Sequence, residues 1–158
     1  MSFYHVCFVV PDIECAAEDL TRTVGTRWGD VLDDRIGPWR YRMTFSQGGP
    51  PYFELIQGPA GSPWDSTLGA RCDHIGFWTG RIERSSQQWS ADGYPAEFSG
   101  CPYGRPYAYH RIDSLGIRLE LMDVSRQPAF LATWSPTGGP MPANDAAAHQ
   151  PRATRDGG

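Results

Sequence analysis

Apolar and polar residues alternate through residues 3–57 in a pattern that predicts a strand, a helix and three further strands. The first strand is expected over Phe3–Val10 and ends at a Pro-Asp turn. Asp12 can cap the helix, and Gly25 follows the helix end. The helix is predicted over Ile13–Val24, and the later strands over Trp28–Leu32, Trp39–Ser46 and Tyr52–Gln57.

The same order of elements recurs over residues 71–124, after a linker rich in Gly, Pro and Ser at residues 58–69. Two βαβββ modules predict an α+β fold, with a curved mixed sheet around a single cleft and the helices on the outside. The second module is predicted to have a strand over Arg71–Thr79, a helix over Ile82–Asp92 closed by Gly93, and strands over Ala96–Ser99, Tyr107–Ile112 and Gly116–Asp123.

A short helix over Gln127–Trp134 is expected to pack Phe130, Leu131 and Trp134 onto the two modules. We therefore expect one domain over residues 1–137. Residues 138–158 are rich in Pro, Gly and Ala with few apolar anchors, so this tail is predicted to be disordered.

Composition narrows the classes of partner. The formal net charge of −4 and the pI near 5.5 argue against nucleic-acid binding, which normally needs a basic surface. No stretch approaches the length of a membrane span, and the four cysteines show no C-x-x-C spacing. We expect a cytoplasmic protein with reduced thiols and a small-molecule substrate, bound neither to nucleic acid nor to a membrane.

A histidine and a glutamate recur in matching positions of the two modules. Glu54 lies 49 residues after His5, and Glu120 lies 46 residues after His74. Because side chains alternate faces along a strand, all four are predicted to point away from the helices, on one face. Two imidazoles and two carboxylates can bind one divalent ion, Zn, Ni, Co, Mn or Fe(II), with positions left for substrate.

Other side chains are candidates for the cleft. Alternation puts Trp78 on the face of His74, whereas the alternating segment Trp39–Phe45 can face either the cleft or the helices. Cys7 and Cys72 share the parity of the two histidines, which raises a mixed His/Cys zinc site, but neighbours at i and i+2 are about 6.6 Å apart along a strand. The remaining candidates for substrate binding are Tyr103, Arg105, Tyr107 and Tyr109.

The sequence resembles the vicinal oxygen chelate superfamily, which includes glyoxalase I, methylmalonyl-CoA epimerase, extradiol dioxygenases and bleomycin resistance proteins. The resemblance covers about residues 3–124. It is carried by His5-Val-Cys-Phe-Val-Val-Pro-Asp12, Tyr52-Phe-Glu54-Leu-Ile, Asp73-His74-Ile-Gly-Phe77 and Ile117-Arg-Leu-Glu120-Leu.

The resemblance implies that His5, Glu54, His74 and Glu120 are metal ligands. This set is similar to that of bacterial glyoxalase I, but Pro11–Gly25 lacks the usual glyoxalase I pattern. The tail with Phe130 and Trp134 looks more like the epimerase-related glyoxalase branch, often found with secondary metabolism. Related proteins often form homodimers.

The implied chemistry is metal-dependent isomerisation, epimerisation or lyase chemistry on a small oxygenated substrate. Glu54 or Glu120 is the candidate general base, and His110 is a second candidate. Two alternatives stay open: an Fe(II) dioxygenase of the extradiol type, and a non-catalytic protein that sequesters an aromatic antibiotic.

Overall fold

The computed structural model describes residues 3–145. Its first module follows the predicted order, with one additional strand. Asp12 caps the first helix through its carboxylate, and Gly25 ends that helix in the left-handed conformation. The elements are β1 (His5–Val9), α1 (Ile13–Val24), β2 (Arg27–Trp28), β3 (Leu32–Ile36), β4 (Trp39–Gln47) and β5 (Tyr52–Gln57).

The second module agrees with the predicted bounds to within a residue at each end. A short C-terminal helix follows it, as the sequence predicts. The elements are β6 (Arg71–Thr79), α2 (Ile82–Ala91), β7 (Ala96–Ser99), β8 (Tyr107–Ile112), β9 (Ile117–Asp123) and α3 (Gln127–Trp134).

The nine strands form one mixed sheet, which confirms the predicted fold class. The modules join where β1 pairs with β6 in antiparallel orientation, and each of these strands has a parallel neighbour from its own module. The four central strands therefore run in the order β5, β1, β6, β9. Helices α1 and α2 pack on one face of the sheet, and the other face carries the candidate site.

The strand predicted over Trp28–Leu32 is wrong, because two short strands replace it. Strand β2 ends at Trp28, and Gly29 then donates its N–H to the Phe45 carbonyl. Strand β3 pairs with β4 across a turn at Gly37, whose φ of 53° suits glycine. Polar residues fill the middle of β3, so its existence depends on the pairing with β4 and has no local signal.

Part of the C-terminal tail, predicted to be disordered, packs on the rest of the fold. Met141 is buried, and its N–H and carbonyl both bond the side-chain amide of Gln127. Asp145 accepts hydrogen bonds from Gly80 and Thr79. The expected disorder is therefore wrong for residues 138–145, while residues 146–158 lie outside the described part of the chain. Within residues 3–145, no helix combines the length and apolar character needed to cross a membrane.

Replacing Gln127 with Ala is expected to lower the free energy of unfolding by about 2 kcal/mol, because two buried hydrogen bonds are lost. Urea denaturation measures the change. Gln88→Ala is the matched control, since Gln88 is exposed on α2 and its side chain bonds Asp92 one turn later. Equal destabilisation by both substitutions would contradict the packed tail.

Candidate metal centre and cavity

The four recurring residues meet on the helix-free face of the central strands. His5 is on β1, Glu54 on β5, His74 on β6 and Glu120 on β9. In each module the glutamate pairs laterally with the residue two positions after the histidine, so Glu54 is opposite Cys7 and Glu120 is opposite Gly76. This matched register brings the duplicated residues together as a quasi-symmetric set.

Three of the four side chains converge to the separation of ligands around one ion. His5 Nε2 lies 2.9 Å from His74 Nε2, and Glu54 Oε2 lies 3.0 Å and 3.3 Å from these two nitrogens. Bonds of about 2.1 Å to an ion place neighbouring ligand atoms ~3.0 to 3.4 Å apart in octahedral or tetrahedral geometry. The donor set and its spacing therefore fit a divalent metal ion.

Glu120 lies at the edge of this cluster. Its Oε2 is 3.7 Å from His5 Nε2 and accepts a hydrogen bond of 2.9 Å from the hydroxyl of Tyr4. The Tyr4 ring stacks on Trp78 with the centroids 4.2 Å apart. Glu120 is thus buried, close to the histidines and oriented by a tyrosine, and its role as a fourth ligand stays a prediction.

Charge is distributed unevenly within the cluster. Burial by itself would raise the pKa of Glu54, but the hydrogen bonds with His5 and His74 outweigh it and hold that pKa well below its usual range. Burial lowers the pKa of His74, yet the contacts with Asp73 and Glu54 raise it to about 9. Glu54 is therefore an ionised carboxylate at neutral pH, as metal ligation requires.

A β-bulge in β6 supplies a partner for the second histidine. Strand β1 pairs Cys7 with His74 but Phe8 with Cys72, so Asp73 is an extra residue in the ladder. The Asp73 carboxylate bonds His74 Nδ1 at 2.8 Å. A histidine held at Nδ1 in this way has its Nε2 fixed in direction for a metal ion.

The prediction that Cys72 lies on the same face as the two histidines is wrong, because the bulge shifts it to the other face. That residue pairs with Phe8, on the helix side of the sheet, and its side chain therefore lies away from the two histidines. Cys7 remains on the site face, and its ligand atom lies within 4.8 Å of those of Asp73 and His74. Asp73 is already paired with the guanidinium of Arg118.

Arg118 connects this carboxylate to the cavity wall. Its guanidinium pairs with Asp73 and lies 4.2 Å from the centre of the Tyr109 ring. The Tyr109 hydroxyl accepts a hydrogen bond of 3.1 Å from Trp64 Nε1. Burial alone would raise the pKa of Asp73, but His74 and Arg118 together hold it below its usual value.

The first histidine is positioned by steric fit. A Cβ at position 76 would lie 2.1 Å from His5 Cε1, so only glycine allows the imidazole to lie over β6. His5 Nδ1 is buried and has no hydrogen-bond partner within the described part of the chain. The Nδ1 sides of the two rings are therefore held differently, that of His74 by the Asp73 carboxylate and that of His5 by packing.

The cluster opens into a cavity of about 230 Å³. Most of the predicted substrate-binding residues line it: Trp78, Arg105, Tyr107 and Tyr109. Tyr103 is not part of the lining; it is exposed and stacks on Phe98. The Arg105 guanidinium is paired with Asp34 at 2.8 Å.

Strand β4 resolves the face that the sequence left open. Tyr41, Met43 and Phe45 line the cavity, so the alternating segment faces the cleft. Helix α3 closes another side with Phe130 and Trp134. The walls thus come from both modules and from the C-terminal helix.

His110 lies on the other face of the sheet. It pairs laterally with Leu119 on β9, and its ring bonds Ser86 on α2 and the Tyr94 carbonyl. This placement puts the imidazole between β8 and α2, away from the cavity. A catalytic role for His110 stays a prediction that its position does not favour.

Sequence reasoning missed four residues that support the site. Alternation puts Asp73 on the helix face, because it does not predict the bulge in β6. Arg118 shares the parity of Glu120, but parity alone does not identify its partner Asp73. Tyr4 lies inside the predicted strand Phe3–Val10, where alternation puts it on the helix side, but it precedes the observed β1 and lines the cavity. Trp64 lies in the linker, where strand parity gives no information. An acidic residue next to a candidate ligand histidine was the one available signal.

Protonation of His110 is expected to destabilise the fold. Burial lowers its pKa from the usual 6.5, so the folded state prefers the neutral ring. Its contribution to stability is present above about pH 6.5 and is lost as pH falls through the lower folded-state pKa. Wild type should therefore lose more unfolding free energy between pH 7.5 and pH 5 than His110→Gln does, by chemical denaturation at each pH. Parallel losses would contradict this account.

Replacing Asp73 with Asn is expected to weaken metal binding about 10- to 100-fold, because His74 loses its anionic partner. Competition with a chromogenic chelator measures Zn²⁺ affinity, and thermal unfolding of the metal-free variant checks its fold. Asp19→Asn, on the exposed side of α1, is the control. An Asp73→Asn protein that folds and binds Zn²⁺ within twofold of wild type would overturn the assigned positioning role.

Comparisons with known proteins agree on the fold. The chain is similar to a variant of methylmalonyl-CoA epimerase from Streptomyces coelicolor in complex with 2-nitronate-propionyl-CoA, at 16% identity and a TM-score of 0.59, covering 78% of this chain and 96% of that one. Methylmalonyl-CoA epimerase from Mycobacterium tuberculosis is 15% identical with a TM-score of 0.56, covering 82% of this chain and 91% of that one. A mutant of 4-hydroxymandelate synthase from Streptomyces coelicolor is 14% identical with a TM-score of 0.57, covering 77% of this chain and 47% of that one.

A search of curated proteins gives no match. The sequence pattern of a protein family, in contrast, matches residues 4–111, more than half of the chain. That range contains both histidines, Glu54 and the junction of the two modules. The chain belongs to the glyoxalase/bleomycin resistance protein/dioxygenase superfamily.

Proposed function

We propose that this protein is a divalent-metal-dependent enzyme that binds two neighbouring oxygens of a small substrate and catalyses proton transfer, as in an isomerase, epimerase or lyase. The observation that carries the proposal is the convergence of His5, His74 and Glu54 within 3.3 Å of one another, beside a cavity. Buried groups of this kind are normally paired or metal-bound.

His5, His74 and Glu54 would hold the ion, with Glu120 as the fourth candidate. The bound ion would act as a Lewis acid that stabilises negative charge on the substrate oxygens. The protein contributes the orientation of the ligands: Asp73 fixes His74, and Gly76 leaves room for His5. These supports leave the ligand set little freedom to rearrange.

Glu120 is the better placed of the two candidate bases. Glu54 is engaged by both imidazoles, whereas Glu120 Oε2 lies at the cluster edge and is oriented by the Tyr4 hydroxyl. In the proposed step, a carbon next to a chelated oxygen gives its proton to Glu120. Return of that proton to a neighbouring carbon completes an isomerisation, whereas an epimerisation requires a proton to reach the opposite face of the same carbon.

The cavity walls favour this chemistry by limiting water around the reacting carbon. Trp78 is stacked on Tyr4 beside Glu120, and Phe130 of α3 packs edge-on against both rings. A carboxylate in such surroundings meets few competing proton donors. The proposed base, Glu120, therefore lies beside aromatic rings, and the Tyr4 hydroxyl orients it.

A second candidate function is Fe(II)-dependent oxygenation. The three converging groups are two imidazoles and one carboxylate, the ligand set of many non-haem Fe(II) oxygenases. The hydroxyl of Tyr4 and the position of Glu120 favour proton transfer instead, because they supply an oriented carboxylate beside the three converging groups.

Equilibrium dialysis under anaerobic conditions with Mn²⁺, Co²⁺, Ni²⁺, Zn²⁺ and Fe²⁺ tests the proposal. We expect about one tightly bound ion per chain, and His5→Ala should weaken binding roughly 100-fold because a ligand is removed. Glu120→Gln should retain the metal within about tenfold. In D2O, the metal-loaded wild type should exchange the carbon-bound protons of hydroxyacetone, and Glu120→Gln should lose at least about 100-fold of that rate.

Glu83→Gln is the matched control, because Glu83 is exposed in the first turn of α2. Absence of metal binding in wild type would contradict the proposal. Oxygen consumption by the Fe²⁺ form with catechol, without proton exchange, would favour oxygenation. Tight binding of a polycyclic antibiotic to metal-free protein would favour sequestration.

A further inference from the structure

Two hydrogen-bond donors in the cavity wall have no partner among residues 3–145. Trp78 Nε1 and the Tyr107 hydroxyl are buried and make no hydrogen bond with any described residue, although both side chains line the cavity. A second tryptophan of the lining does have a partner, since Trp64 Nε1 donates a hydrogen bond to the Tyr109 hydroxyl. Buried donors are almost always satisfied, so the unpaired two are suited to an acceptor inside the cavity.

The sheet register places Trp78 and Tyr107 in the row of residues next to that of the metal cluster, on the same face of the sheet. Trp78 and Tyr107 both pair with Met122 of β9, which puts them in one row across three strands. Glu120 lies two residues earlier on β9, in the row that also contains Gly76 and, through Gly76, His5. Two residues along a strand span about 6.6 Å, close to the width of one aromatic ring with its oxygen substituents.

The walls between the two rows are suited to a flat ligand. One aromatic cluster contains Tyr4, Phe45, Trp78 and Trp134, and a second contains Tyr41, Trp64, Tyr107 and Tyr109. Met43 and Met122 pack against both clusters. Aromatic faces and thioethers favour planar rings through offset and edge contacts.

The cavity size favours a small ligand. Its volume is about 230 Å³, whereas an apolar cavity of roughly 150 Å³ accommodates benzene and drug-sized ligands occupy roughly 300 Å³ or more. A substituted single ring therefore fits better than a polycyclic compound.

Charge in the lining argues against a polyphosphate-bearing substrate. The basic side chains of the lining are Arg105 and Arg126, and Arg105 is already paired with Asp34. Glu54 and Glu120 add negative charge at the inner end. Recognition of several phosphates normally requires a cluster of unpaired arginines or lysines.

We propose that the cavity binds a compound with one planar aromatic ring, a side chain that presents two adjacent oxygens to the metal cluster, and a further oxygen on the far side of the ring, which accepts hydrogen bonds from Trp78 and Tyr107. This inference rests on the proposed function, because the adjacent oxygens are assigned to the metal. It adds the class of substrate and two residues that select it.

Three hydroxamates test the contributions of the aromatic ring and of the far oxygen separately, because all three share one chelating group. Acetohydroxamate lacks a ring, benzohydroxamate adds it, and 4-hydroxybenzohydroxamate adds an oxygen at the far end. By calorimetry, Zn²⁺-loaded protein should bind benzohydroxamate about 10-fold more tightly than acetohydroxamate, because the ring is buried in the cavity. The 4-hydroxy compound should bind a further 3- to 10-fold tighter, as expected for hydrogen bonds to buried donors.

Trp78→Phe and Tyr107→Phe remove the donors and keep the rings. Each should cut the advantage of the 4-hydroxy compound to about twofold or less, while the ratio of benzohydroxamate to acetohydroxamate stays within twofold of wild type. Tyr103→Phe is the matched control, because Tyr103 is exposed and outside the lining. It should change none of the three affinities.

The outcomes distinguish the inference from the function beneath it. If wild type binds Zn²⁺ but takes acetohydroxamate and benzohydroxamate equally, or if the 4-hydroxyl gives no gain, the aromatic substrate class is wrong and the metal enzyme stands. Competition by acetyl-CoA against benzohydroxamate at similar concentration would also overturn it. If the protein binds no Zn²⁺, or if the hydroxamates bind equally without it, the proposed function itself fails.

Discussion

The antiparallel pairing of β1 with β6 is the contact on which the rest of the structure depends. It joins the two modules into one sheet and places His5 opposite Gly76 and Cys7 opposite His74. The parallel neighbours β5 and β9 then bring one glutamate to each side. Since neither module alone contains more than one histidine and one glutamate of the set, the site exists only where the modules meet.

This arrangement concentrates buried polar groups that would destabilise an unpaired core. The chain offsets that cost with a contiguous network in which Arg118 pairs with Asp73, Asp73 bonds His74, and Tyr4 bonds Glu120. The bulge in β6 is essential to it, because a regular strand would direct Asp73 to the helix face. The fold therefore accepts an irregular central strand to support the proposed metal centre.

Much of the fold and the ligand cluster could be predicted because both are encoded locally. Alternation in β1, β5, β6 and β9 puts the duplicated His and Glu on one face of the sheet, and their recurrence made that face recognisable. Asp12 and Gly25 likewise marked the limits of α1 through capping. Features that depend on pairing between distant strands were not accessible: the polar strand β3, the bulge at Asp73, and the contacts of residues 138–145 with Gln127. For the same reason, the face of His110 and the lining by β4 could be assigned only from the three-dimensional arrangement.

X-ray absorption at the metal edge of the Zn²⁺-loaded protein tests the central claim most directly. The account predicts one ion per chain with two imidazole ligands, which give outer-shell scattering from the rings, and otherwise nitrogen or oxygen donors at about 2.0 to 2.2 Å. His74→Ala should halve the imidazole contribution. A sulfur scatterer near 2.3 Å, which would implicate Cys7, or an ion with no imidazole ligand would contradict the account.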